Sequence, residues 1–399
     1  VGERIVVVGA GLGGLRSAEQ LRAAGFAGHI LVVGDEIHLP YNRPPLSKEG
    51  LATEISHQTL AFRQKASVAD VEWRLGEIVE GVSLDDREVN LSGGDRLSYD
   101  GLVAATGVSA RRLPLDAPLE WRHIVRTLDD AARLRAELVP GACVVVVGAG
   151  FIGCEVAATA RLLGCEVAVV DPMPVPLLRP LGVDLGTELQ RRHEAQGVRF
   201  HLGQTIATIE DAPRVVVLAD GTRLPADVVV EAVGSRPNTG WLEGNGLDLA
   251  DGVTCDADLH PLRADGPVRD VVVVGDIARF PNVLFDDVPR RVEHWNMPTE
   301  TAKRAARSLA GSLSGTTGGL PPFMPMPAFW SDQYEIRVQS FGMPGLGGDD
   351  IRILEGDLHD EVVVGYHRQD VLVGVVMLGL IRRATYYRDL IAAAAAAAG

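Results

Sequence analysis

Two glycine patterns, and the acids that follow them, are where this chain could do chemistry. In VVVGAGLGG a strand-like run ends in Gly9-x-Gly11-x-Gly13-Gly14, and the amphipathic stretch LRSAEQLRAAG follows. The first glycine permits the turn and the second lets backbone approach a pyrophosphate. The third of the fingerprint, Gly14, packs helix against strand, at a helix N-terminus that favours an anion. The next strand, ILVVGDE, ends in Asp35 and Glu36, placed where a carboxylate accepts hydrogen bonds from ribose hydroxyls. The pattern returns in VVVVGAGFIGCEVAATARLLG, with Gly148, Gly150 and Gly153 flanking Phe151 and Ile152. Its following strand, VAVVD, ends in Asp171, near the roughly twenty-residue interval of a ribose-binding acid. An acid there accepts from the free 2′-hydroxyl of NADH and repels the 2′-phosphate of NADPH. Pro172 and Met173 bring no compensating arginine, so NADH is the expected nucleotide.

Two sites of this kind suit either a pyridine-nucleotide transhydrogenase or a flavoenzyme. Three further segments favour flavin. LVAATG carries Ala105, Thr106 and Gly107 on a strand and turn that would return beside the first nucleotide. VVEAVGSRPN, with Gly234, is its counterpart after the second. VVVVGDIARF ends its strand in Gly275-Asp276, where a carboxylate could hold a ribityl hydroxyl.

Positioning these residues requires parallel sheets. Apolar runs at Ile5–Val8, Ile30–Val33, Val144–Val147, Val167–Val170, Val228–Val230 and Val271–Val274 alternate with helical patterns, which predicts an α/β fold with crossover helices. The recurrence of the fingerprints predicts two Rossmann-like dinucleotide-binding domains. One, for FAD, spans 1–109 and 235–319, and the other, for NAD, spans 110–234. After LPPFMPMP the runs IRVQSFG, IRILEG, EVVVGYH and VLVGVVML read as antiparallel strands before a helix ending in AAAAAAAG. This predicts a smaller C-terminal α+β domain over 320–399.

A length of 399 residues is enough for several packed domains, and 46% hydrophobic residues with 45 glycines suit a soluble fold rich in βα turns. A net charge of −15 argues against broad contact with nucleic acid or anionic membrane. No signal peptide precedes the first strand and no membrane span is indicated, so a cytoplasmic enzyme is expected. Cys143, Cys154, Cys165 and Cys255 form neither a CxxC nor a metal-ligand spacing and are expected to be buried, inert thiols. No metal site is expected.

The whole chain resembles the glutathione-reductase-type flavoproteins. More narrowly, it is similar to NADH-dependent ferredoxin reductases of the putidaredoxin reductase type, which serve bacterial haem-thiolate monooxygenases and aromatic-ring dioxygenases. GDEIHLPYNRPPLSKEGL, VVVVGDIARF, EHWNMPTETAKRAA and FWSDQYEIRVQSFG carry the resemblance. Where disulfide-reducing relatives have a redox-active CxxxxC, this chain has Arg43-Pro44-Pro45-Leu46-Ser47-Lys48.

The resemblance implies that Gly9, Gly11, Gly13, Gly14 and Asp35 hold the AMP half of FAD and that Val79 and Arg126 contact its adenine and pyrophosphate side. Arg43 and the Ala105-Thr106-Gly107 turn join the cofactor set, Asp276 meets the ribityl chain, and Trp295 lies at the flavin pyrimidine edge. Lys48 would lie by the isoalloxazine. Gly148, Gly150, Phe151, Ile152, Gly153, Asp171 and Gly234 would form the NADH side, with Glu155 at the nicotinamide end opposite Lys48. Lys48 and Glu155 are the expected catalytic residues.

Two departures from the pattern are the prolines of PMPVPLLRPLG and the Arg382-Arg383 pair where relatives often have Asn-Arg. In the implied mechanism hydride passes from NADH to FAD, and electrons then pass singly to an acidic [2Fe-2S] ferredoxin. That partner would dock on a local basic face drawn from Arg290, Arg291, Lys303, Arg304, Arg307, Arg382 and Arg383. A monomer is expected. His294 is expected to be a hydrogen-bonded structural histidine, with an effect on flavin protonation as the alternative. A quinone or oxygen reductase on the same fold and an apoptosis-inducing-factor-like redox interaction protein are the competing readings.

Overall fold

The computed structural model describes residues 3–316 and 319–398. Val1, Gly2, Thr317, Gly318 and Gly399, which the expected domain spans and C-terminal helix include, lie outside the described residues. The chain is mixed α/β and groups into two compact units. One comprises Val1–Asn42, Leu60–Ser109 and Pro237–Pro327, and the other Arg43–Thr59, Ala110–Arg236 and Ala328–Gly399.

The first unit is built on a five-stranded parallel sheet in the order Val271–Val273, Gly101–Ala104, Arg4–Val8, His29–Gly34, Glu72–Leu75. Its Val- and Ile-rich strands are buried, as parallel strands covered on both faces must be. Helix Leu12–Ala23 follows the first strand directly and packs with helix Met297–Leu313. The chain leaves Arg4–Val8 toward one neighbour, His29–Gly34, and its other neighbour, Gly101–Ala104, arrives later. The strand order therefore reverses at the carboxyl end of the first strand, where open α/β sheets bind ligands.

The second unit repeats the plan, in the order Arg199–Leu202, Glu166–Asp171, Cys143–Val147, Val228–Glu231, Arg122–His123, again parallel. Helix Phe151–Leu162 takes the place of the first fingerprint helix. The second unit also carries a five-stranded antiparallel sheet. Its order is Ala328–Gln333, Ile336–Gly342, Val371–Leu378, Val362–Arg368, Ile351–Gly356, and helix Ala384–Ala398 follows. Four of these strands are the runs read from the sequence. The fifth, Ala328–Gln333, is not, because its Ser331-Asp332-Gln333 end is polar although Ser331 and Gln333 face the core. Among the described residues no helix is long and apolar enough to cross a membrane.

Candidate functional site

In the first unit the expected nucleotide segments meet at one sheet end. Val8 and Val273 both pair with Ala104, so Gly9, Ala105 and Val274 emerge side by side. Gly9 has φ +116°, and a side chain there would overlap the carbonyl of Ala105; one at Gly14 would overlap the carbonyl of Gly9. Both glycines are therefore demanded by the protein's own packing. Gly13 differs, since a Cβ would make ordinary contacts with Val274 and Ala105. Gly11 differs again: its backbone is extended and a Cβ would meet nothing within 4 Å. The chain does not explain that glycine, but a pyrophosphate lying against the helix N-terminus does, and the cradle fits a dinucleotide.

Around this turn, Asp35 is exposed at the end of its strand, while Glu36 accepts the Tyr41 hydroxyl at 2.5 Å. Val79 is half-buried at the start of strand Val79–Ser83. Gly107 has φ +63°, and its neighbour Thr106 donates from Oγ1 to the carbonyl of Asn238 at 2.6 Å, while Asn238 Nδ2 donates back to the Thr106 carbonyl. Gly275 N donates to the buried Thr301 Oγ1 at 2.9 Å, which ties the half-buried Asp276 to the N-terminal half of helix Met297–Leu313. Trp295 is 40% exposed for so large an apolar ring, and its Nε1 donates to Asn42 Oδ1 at 3.3 Å.

The second unit has the same pattern. Side chains at Gly148 and Gly153 would overlap the carbonyls of Ala232 and Gly148, whereas Gly150 faces open space. Asp171 accepts from Ala149 N at 2.6 Å through one oxygen and from Met173 N at 2.7 Å through the other. Its carboxylate is thus oriented by the fingerprint turn itself and keeps lone pairs for further donors. Phe151 and Ile152 open the helix, Ile152 with 47% exposure, and Gly234 has φ +98° beside open space. The proline-rich segment is ordered into helix Leu178–Leu181, and Leu177 N donates to Ala149 O. Arg43 Nη1 donates to the carbonyl of Arg126 at 2.7 Å, just before the Thr127-Asp130 capping box of helix Leu128–Glu137.

Lys48 and Glu155 are brought together in this unit. Lys48 Nζ lies 2.8 Å from Glu155 Oε2, and Ser47 Oγ donates to the same oxygen at 2.5 Å. Glu155 is 5% exposed. Thr159, one helical turn on, donates to the Ser47 carbonyl at 3.1 Å, so one face of helix Phe151–Leu162 grips the Pro44–Ser47 turn twice. Ser331 Oγ completes the carboxylate's shell, donating to Oε1 at 2.6 Å. Ser47 and Ser331 are partners that sequence reasoning missed; they lie far from Glu155 along the chain, and no spacing rule connects them.

All four cysteines are free. Burial raises the pKa of each, with Glu155 adding to the effect at Cys154 and Asp227 at Cys143. Thiolate chemistry at neutral pH is thereby disfavoured. N-ethylmaleimide at pH 7 is therefore expected to leave NADH-dependent turnover unchanged; loss of activity in step with one thiol modified would contradict this. Burial also lowers His294 to about 4, against the opposing charge of Glu293, so the imidazole is neutral at pH 7. The cations proposed for docking are mostly paired inside their own units. Arg290 pairs with Asp286, Arg291 with Asp251 and Glu293, Lys303 with Glu300 and Arg304 with Asp258. In the second unit Arg382 pairs with Glu361 and Arg383 with Glu355. Arg307 is exposed, with no carboxylate within 4.0 Å among the described residues.

The family profile for pyridine nucleotide-disulphide oxidoreductases matches residues 3–302, and that for the reductase C-terminal domain matches residues 328–398. The chain belongs to the pyridine nucleotide-disulphide oxidoreductase family. It is 35% identical to a probable ferredoxin reductase, CtmF, of Castellaniella defragrans, over 92% of this chain and 88% of the relative. It is 34% identical to putidaredoxin reductase CamA of Pseudomonas putida, over 89% and 83%. Among solved structures, the covalent putidaredoxin reductase–putidaredoxin complex matches with a TM-score of 0.89 at 31% identity, covering 98% of this chain and 93% of that one.

Proposed function

We propose that this chain is an FAD-dependent NADH:ferredoxin oxidoreductase that passes electrons to a [2Fe-2S] ferredoxin supplying an oxygenase, either a haem-thiolate monooxygenase or an aromatic-ring dioxygenase. Relatives named as ferredoxin reductases of the cumate and anthranilate dioxygenase systems, 36% and 35% identical, support the acceptor. The cofactors are FAD and NAD(H), as in the family. The observation that carries the reading is the doubled cradle, in which Gly11 and Gly150 alike face space that the chain leaves open for a dinucleotide.

In this reading FAD is held within 1–109 and 235–319, NADH within 110–234, and 320–399 forms the C-terminal domain. Gly9, Gly11, Gly13, Gly14, Asp35, Val79, Ala105, Thr106, Gly107, Asp276 and Trp295 serve FAD, together with Arg43 and Arg126. When bound, FAD would supply the capacity to accept a hydride and to give up electrons singly. The residues orient. Asp171 accepts the adenosine ribose hydroxyls, and the Gly148–Gly153 turn meets the pyrophosphate with its amides, with Phe151, Ile152 and Gly234 beside it. Lys48 and Glu155 form a fixed ion pair at the nicotinamide end, and no acid or base is required of them.

The ferredoxin is read as acidic, docking on a local basic face. With the other candidates paired to carboxylates, Arg307 offers the least compensated charge. The protein is read as a cytoplasmic monomer, placed where NADH is supplied.

Anaerobic titration tests the nucleotide assignment. NADH is expected to bleach the flavin absorption stoichiometrically and NADPH at least about 100-fold more slowly, because a 2′-phosphate would face Asp171, and Pro172 and Met173, which follow it, bring no arginine to receive it. Equal bleaching by both nucleotides would contradict the role given to Asp171, and a purified protein that takes up no flavin would contradict the whole reading.

A further inference from the structure

Glu155 is held by more of the chain than Lys48. Its Oε1 accepts from Ser331 Oγ at 2.6 Å, Ser331 Oγ accepts from Gln333 Nε2 at 3.1 Å, and Gln333 Oε1 faces His193 Nε2 at 2.8 Å. Ser331, Gln333 and His193 are all 0% exposed. Chemistry sets the direction of this chain. A carboxylate only accepts, so Ser331 gives its single proton to Glu155 and accepts from the Gln333 amide. The Gln333 carbonyl then accepts from His193 Nε2–H. Burial lowers the pKa of His193, in keeping with a neutral ring protonated at that nitrogen, and its Nδ1 has no hydrogen-bond partner among the described residues. Every donor in the buried line points toward Glu155.

We infer that Ser331 and Gln333 are positioning residues for hydride transfer. They lock the Glu155 carboxylate so that Oε2 meets Lys48 and Ser47 before the nicotinamide arrives. The inference rests on the reading of Lys48 and Glu155 given above. Without Ser331, one oxygen of a buried carboxylate loses its donor and the side chain gains freedom to turn. Lys48 shares the other oxygen and moves with it. The strand Ala328–Gln333 and the helix carrying His193 thereby contribute to a reaction whose atoms they do not touch.

If the network served only to pin this strand to helix Phe151–Leu162, breaking it would lower stability without slowing reduction at unchanged NAD+ affinity. The holoenzyme carrying Ser331→Ala, Gln333→Met, Glu155→Gln or the Ser331→Ala/Glu155→Gln pair distinguishes the two cases. Flavin reduction is followed at saturating NADH by stopped flow, the dissociation constant for NAD+ by equilibrium titration, and Tm by thermal scan. Ser331→Ala is expected to slow reduction about tenfold, the weight of one hydrogen bond to a charged group, with NAD+ affinity within about twofold of native. Gln333→Met, which keeps bulk and removes the donor, is expected to slow it about threefold. In the Glu155→Gln background Ser331→Ala is expected to add less than about twofold, because it acts through Glu155. If Glu155→Gln is slow while Ser331→Ala and Gln333→Met reduce at the native rate, or if the pair is fully additive, the inference fails and the reading of Glu155 survives. Glu155→Gln at the native rate removes that reading and the inference with it.

Discussion

Gly153→Ala is expected to leave FAD bound and to abolish reduction by NADH, while Gly150→Ala leaves the protein folded and weakens NADH binding. The two glycines belong to one fingerprint but answer to different neighbours. A Cβ on Gly153 would overlap the Gly148 carbonyl, so helix Phe151–Leu162 must leave its place against strand Cys143–Val147. That displacement moves the turn amides and, on the same helix, Glu155. A misplacement of about 1 Å is enough to cost roughly 100-fold in rate, and here both binding and alignment are lost, so a fall of at least about 1,000-fold is expected. Gly150 has nothing within 4 Å, so alanine there is accommodated by the chain, and any penalty arises only when the pyrophosphate approaches. Tm of the Gly150→Ala protein is expected to shift by less than about 2 °C, the equivalent of under roughly 1 kcal/mol. Anaerobic bleaching by NADH, with photoreduction to verify that the flavin remains competent, reads both variants. Native NADH affinity in Gly150→Ala would show that the open space is not the nucleotide's.

The second large effect is on stability. Glu231 is 2% exposed and accepts from Arg122 Nη2 at 2.7 Å, Arg112 Nη1 at 3.0 Å and Leu113 N at 3.0 Å. Arg122, 3% exposed, also donates to the carbonyls of Leu113, Leu115 and Ala117. One buried ion pair thus fastens the irregular segment from Leu113 to Ala117 onto the parallel sheet. Removing one member leaves the other charged in a dry site, which typically costs about 3–5 kcal/mol. Arg122→Met is therefore expected to lower the urea midpoint strongly. Arg122→Met combined with Glu231→Met is expected to recover part of the loss, because no buried charge is then left without its principal partner. A single variant within about 0.5 kcal/mol of native would show that the pair carries no such weight.

How far the sequence reaches can be judged from these same elements. The apolar parallel strands and both fingerprints are legible because their information is local: a buried apolar run, a glycine wherever a side chain would strike a carbonyl, and an acid one strand further on; the parallel strands Glu72–Leu75, Arg199–Leu202 and Arg122–His123 carry no such run and are not. The antiparallel strands after residue 336 are legible for the same reason. Strand Ala328–Gln333 escapes, since it turns Ser331 and Gln333 inward for Glu155 and so breaks the rule that core positions are apolar. The contacts of Glu155 with Ser47 and Ser331, and of Glu231 with Arg122, join residues more than 100 positions apart, and only the fold makes them neighbours. Charge is legible only by residue. Arg290, Arg291 and Arg304 read as a basic stretch, but Asp286, Asp251, Glu293 and Asp258 meet them in space.

Electron transfer to a ferredoxin is tested by the rate of cytochrome c reduction by the purified flavoprotein with NADH, in the presence and absence of a [2Fe-2S] ferredoxin from an oxygenase system. Slow reduction by the flavoprotein alone and strong, saturable stimulation by ferredoxin are expected. Rapid NADH oxidation that no ferredoxin stimulates, with quinone or oxygen consumed instead, would contradict the ferredoxin reductase reading.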